Sequence, residues 1–145
     1  MQFLWMIPGL IALVSAAPLA ASDAASGVAS DPGAALSAEE FDSYTRGKTL
    51  FYGSDGRAYG VERYLPNRQV LWSFLDGRCQ EGEWFPKGEE ICFVYDNIEP
   101  VQCWRFSLTD RGLIAQYQSR AAATELYEAE DYGEEMLCLG PEVGA

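Results

Sequence analysis

From Lys48 to Gln118 apolar and polar residues alternate in short runs, and turn residues interrupt them at even spacing. The turn signals are Ser54-Asp55-Gly56, Pro66-Asn67, Asp76-Gly77, Pro86-Lys87-Gly88, Asp96-Asn97 with Pro100, and Asp110-Arg111-Gly112. A two-residue period bounded by such turns is the pattern of antiparallel strands. It predicts strands near Lys48–Tyr52, Arg57–Tyr64, Gln69–Leu75, Arg78–Phe85, Glu90–Tyr95, Cys103–Thr109 and Leu113–Gln118. The clearest run is Cys103–Thr109, where Trp104, Phe106 and Leu108 share one face and Arg105, Ser107 and Thr109 the other. Its expected partner is Glu90–Tyr95, in which Ile91, Phe93 and Tyr95 alternate with Cys92 and Val94. The run Gln69–Leu75 is apolar on both faces and reads as a central strand.

The chain ends read differently. Ser37 with Glu40 matches a capping box ahead of a short helix around Ala38–Tyr44. The Ala, Glu and Leu of Ala121–Tyr132 suit a second short helix. The expected fold is therefore all-β: an antiparallel meander of six to eight strands, closed as a small barrel or sandwich, with short terminal helical segments.

The N-terminal sequence extends the picture beyond the fold. Phe3 to Val14 is apolar apart from Pro8 and Gly9, and small residues follow it. That pattern predicts a signal peptide over residues 1–17, although no Lys or Arg precedes the apolar run. It is shorter than the ~20 residues a membrane span needs, so no stable membrane insertion is expected after cleavage. Residues 18–37 are rich in Ala, Ser, Gly and Asp and read as a disordered linker. A single β-rich domain over 38–140, with an acidic C-terminal segment, completes the organisation.

An exported chain with four cysteines predicts disulfides. A Cys92–Cys103 bridge fits a hairpin turning about Asn97-Ile98, with both sulfurs on the face opposite the aromatic residues. Cys79 then pairs with Cys138. In the chain-entropy picture the short loop contributes roughly 3 kcal/mol and the long one roughly 4 kcal/mol. The pairing of Cys79 with Cys92 stays open, though its midpoint falls ahead of the turn at Pro86–Gly88. The cysteine gaps contain no C-x-x-C and the chain has no histidine, which argues against a zinc site.

The missing histidine also removes the commonest general base and the usual hydrolase triads. Glu81 and Glu83 share a strand face and form a carboxylate pair with spacing near that of glycosidases. Cofactors and metals are not expected. The aromatic content is high, and Tyr59, Tyr64, Trp72 and Trp84, with Arg63, Arg68 and Arg78 among them, make a candidate ligand surface. The formal net charge of −12 comes from the flanks, because Arg46 to Arg120 holds all ten basic residues and ten acidic ones. Acidic flanks disfavour nucleic acid and favour a basic protein or envelope component as partner.

Gly47-Lys48-Thr49, Gly82-Glu83-Trp84, and Ile91-Cys92-Phe93-Val94-Tyr95 followed by Cys103-Trp104 line up in order. Over about Arg46 to Phe106 this resembles a family of small exported proteobacterial proteins described as a domain of unknown function. The resemblance implies a periplasmic β-domain with a Cys92–Cys103 bridge, and it brings no catalytic residues. The expected function is a periplasmic or secreted, non-enzymatic binding or envelope-associated domain. A proteinaceous inhibitor of a basic secreted hydrolase such as a lysozyme is the alternative, and a carboxylate hydrolase using Glu81 and Glu83 is the second.

Overall fold

Every turn signal becomes a reversal of the chain. The computed structural model describes residues 33–118, 123–130 and 135–139. A helix, α1 (Ala38–Thr45), precedes eight strands: β1 (Thr49–Ser54), β2 (Arg57–Tyr64), β3 (Gln69–Ser73), β4 (Gln80–Lys87), β5 (Glu90–Tyr95), β6 (Ile98–Thr109), β7 (Gly112–Gln118) and β8 (Ala123–Ala129). Each strand pairs antiparallel with the next, and β8 pairs with β1, so the sheet is a closed up-and-down barrel. Closure removes both sheet edges and leaves no unpaired strand among the described residues. Asp55 and Gly56 both adopt positive φ between β1 and β2. That is the geometry a two-residue hairpin demands, and it explains the Asp-Gly pair.

Cross-strand partners share a face, so the register fixes the interior. Leu50 opposes Glu62, Glu62 opposes Trp72, Trp84 opposes Phe93, and Ile91 opposes Trp104. These residues point into the barrel, where they are joined by Tyr52, Tyr64, Tyr95, Phe106, Ala115 and Leu126.

The two barrel ends differ. The β2–β3, β4–β5 and β6–β7 connections lie at one end, together with the link from α1 into β1. Helix α1 closes that end. Ser37 accepts from the Glu40 N–H and the Glu40 carboxylate accepts from the Ser37 N–H, which is the expected capping box. The cap fixes where the helix starts and so aims Phe41 into the barrel. Phe41 is fully buried, edge-on to Tyr64, Trp84 and Phe93 at 5.1 to 6.3 Å, with Phe106 at 4.6 Å. Tyr44 donates to Glu128 Oε2 (2.8 Å), which also accepts from the Leu113 N–H (2.8 Å), so the helix is pinned to β7 and β8.

Both disulfides form as the favoured pairing had them. Cys92 and Cys103 are direct partners on the outward face of β5 and β6. Cys79 and Cys138 join the C-terminal segment to the start of β4, at the end opposite α1. Two disulfides point to an oxidising compartment outside the cytosol. Among the described residues no helix is long and apolar enough to cross a membrane.

Two expectations change. The helix expected over Ala121–Tyr132 is a strand over its described part, Ala123–Ala129. Its helix-forming residues are overruled by two pairing partners, β7 and β1, and by Leu126, whose burial requires a two-residue period. The packed chain also begins before Ala38: Leu36 is buried and its N–H donates to the Phe106 carbonyl. The expected signal peptide and the linker up to Pro32 lie outside the described residues.

Candidate functional site

An eight-stranded barrel has an interior just wide enough to be filled by side chains or to hold one small ligand. This one holds a cavity. About 40 Å³ of water-sized space lies above the Phe41 plug, in a recess that opens at the far end. Tyr64, Phe93 and Phe106 form its floor, and the same rings pack on Phe41 from below. Tyr52, Trp72, Tyr95 and Trp104 form the wall. Tyr59, Phe74, Ile98 and Gln102 stand toward the mouth, where Phe74 is 46% exposed.

Two inward glycines let rings pack directly on the wall. A Cβ on Gly60 would collide with the Trp72 ring, and one on Gly82 would collide with the Val94 carbonyl and Tyr95. Without side chains at these positions, Trp72 and Tyr95 lie close against the neighbouring strands. Tyr59, Trp72 and Phe74 then pack on one another at 5.3 to 6.1 Å and continue the aromatic lining out to the rim.

The polar groups of the cavity are few and buried. The Tyr52 and Tyr64 hydroxyls hydrogen-bond each other at 2.8 Å. The Tyr95 hydroxyl donates to Glu62 Oε2 at 2.9 Å. Glu62 is only 2% exposed, and its Oε1 has no hydrogen-bond partner among the described residues. Burial pushes the Glu62 carboxyl up from 4.5 to about 8, with the Tyr95 hydrogen bond pulling weakly the other way. At neutral pH the carboxyl therefore keeps its proton. Because Oε2 is taken by Tyr95, the proton belongs on Oε1. Burial likewise raises the hydroxyls of Tyr52, Tyr64 and Tyr95, so all three remain neutral. One other buried polar side-chain atom lacks a partner among the described residues: Gln80 Oε1, on the residue directly across from Trp72.

The candidate surface read from sequence is split by the fold. Tyr59, Tyr64 and Trp72 come together in the cavity. Trp84 sits at the plugged end against Phe41, with the Arg68 guanidinium 4.7 Å above its ring. Arg63, Arg68 and Arg78 are exposed, and none of them lines the cavity. Glu81 and Glu83 are exposed across from Leu71 and Gln69, on the outward face of β4. The residue that sequence reasoning passed over is Glu62. Its parity with Gly60 and Tyr64 along β2 was the available signal, since a strand that sends Tyr64 inward also sends Glu62 inward.

No family model, curated protein or solved structure matches the chain.

Proposed function

We propose that this protein is an exported, non-enzymatic binding module that takes one small, largely apolar molecule at the open, aromatic end of its barrel. The observation that carries the reading is the aromatic cavity itself, blocked at one end by Phe41 and open at the other. A carboxyl group is kept in this aromatic wall at the cost of desolvation. An apolar site with one or two placed polar groups is the general form of a small-molecule site. The apolar stretch Phe3 to Val14 and the two disulfides support a periplasmic or secreted location.

The test is native mass spectrometry of the protein from its own source, paired with thermal melts against a panel of small aromatic compounds. The expected result is a bound small molecule released on unfolding, or a raised Tm with at least one compound class. If nothing is released and no compound raises Tm, the cavity is not a binding site.

A further inference from the structure

The cavity specifies the charge of its occupant. Resting on the binding reading above, we propose that the occupant carries a primary or secondary ammonium group, which pairs with Glu62 Oε1 while its apolar body lies against Trp72, Tyr59 and Phe74.

Three observations converge. First, Glu62 is the one ionisable acid among the described lining residues, and no Lys or Arg is among them. A cation can therefore be neutralised in the cavity, whereas an anion meets no opposing charge. Second, Glu62 Oε1 lacks a partner among the described residues and accepts hydrogen bonds once Glu62 is ionised. An ammonium brings the donors that this interior lacks. Third, the remaining wall is aromatic. Ring faces attract a cation, and the attraction grows when water is excluded. The formal charge of −12 adds a long-range pull on cations approaching the mouth.

The proton balance follows. Empty, Glu62 holds a proton. A protonated amine that enters displaces it, so one carboxyl proton passes to solvent and an ammonium–carboxylate pair remains. A neutral amine that enters takes the same proton onto its nitrogen and none is released. The site thus exchanges one proton for one organic cation. Affinity for the ammonium form rises with pH until Glu62 ionises unaided near pH 8.

The experiment uses the purified full chain and two probes of matched shape, phenethylamine and 2-phenylethanol, followed by calorimetry and tryptophan fluorescence. Phenethylamine is expected to bind at least about 30-fold tighter at pH 7. Its affinity should fall by up to about tenfold per pH unit on going from pH 8 to pH 6. Its heat should vary with buffer ionisation enthalpy by about one released proton. Glu62→Gln keeps the shape and removes the charge. In that variant the amine preference and the pH dependence should both vanish, with circular dichroism confirming the fold. If 2-phenylethanol binds as tightly as the amine, or the preference survives in Glu62→Gln, the charge assignment is wrong and the binding reading stands. If the wild-type amine affinity is flat from pH 6 to 8, the proton exchange is wrong, whatever the variant does. If neither probe binds at millimolar concentration, both readings fail together.

Discussion

The two ends of the barrel are built from the same kinds of residue and do opposite things. At the plugged end a capped helix drives Phe41 into an aromatic cluster, and Glu128 is satisfied twice, by Tyr44 and by the Leu113 N–H. At the open end Phe74 and Tyr59 remain at the surface, Glu62 keeps one oxygen without a partner among the described residues, and about 40 Å³ is unfilled. A half-buried carboxyl group can be held by two donors, as Glu128 shows. Glu62 has one donor and a wall of rings. The contrast separates residues that maintain the barrel from residues held ready for something that enters it.

Substitutions at each end sharpen or break that contrast. The largest expected effect is at the plug. Phe41→Ala should cost about 3–5 kcal/mol in a urea melt, since it leaves a void beneath four aromatic rings. A loss below ~1 kcal/mol would mean that α1 is a loose cover.

Next comes Glu62. Its folded-state value lies above its unfolded value, so the folded form holds a proton that the unfolded chain has released. Stability from this group is full below about pH 4.5 and is lost as pH rises to about 8, by up to about 1.4 kcal/mol per pH unit. Urea melts across that range should show Glu62→Gln gaining on the wild type as pH rises. Parallel curves for the two proteins would place the Glu62 carboxyl in water.

The disulfides make a third comparison. Changing Cys92 and Cys103 together to Ser should cost about 2–3 kcal/mol. The longer Cys79–Cys138 loop should cost well short of the ~4 kcal/mol that loop length alone gives. Leu137 and Leu139 of that tail are 51% and 69% exposed, so a released tail regains freedom in the folded state too. Thermal melts of the two double variants decide which bridge matters more.

The smallest expected effect is at the mouth. Phe74→Ala should leave stability within about 0.5 kcal/mol, yet weaken any bound aromatic probe several-fold in a fluorescence titration. A large loss of stability there would erase the distinction between the ends.

Much of the scaffold was legible because it is local. Alternation and turn chemistry mark seven strands, Ser37 and Glu40 mark the helix start, and a hairpin between Cys92 and Cys103 marks its own bridge. Strand β8 was hidden because its composition favours helix, and only its two neighbours in space make it a strand. The site was half legible. Tyr59, Tyr64 and Trp72 carry the aromatic signal, but composition cannot separate Trp72, in the cavity wall, from Trp84, packed on the plug. That distinction depends on which end of the barrel a rung occupies, and so on closure. Glu62 looked like one acid among many, because burial is a property of the finished barrel.

The seam between the first strand and the last also governs the order of assembly. Phe51 to Gly53 find their second partner only in Tyr127 to Ala129, near the end of the chain. Until that segment is in place, the hairpins before it form an open ribbon whose leading margin stays bare. The container therefore does not exist until its final segment arrives, and a chain shortened within that segment keeps most of its hairpins yet encloses nothing.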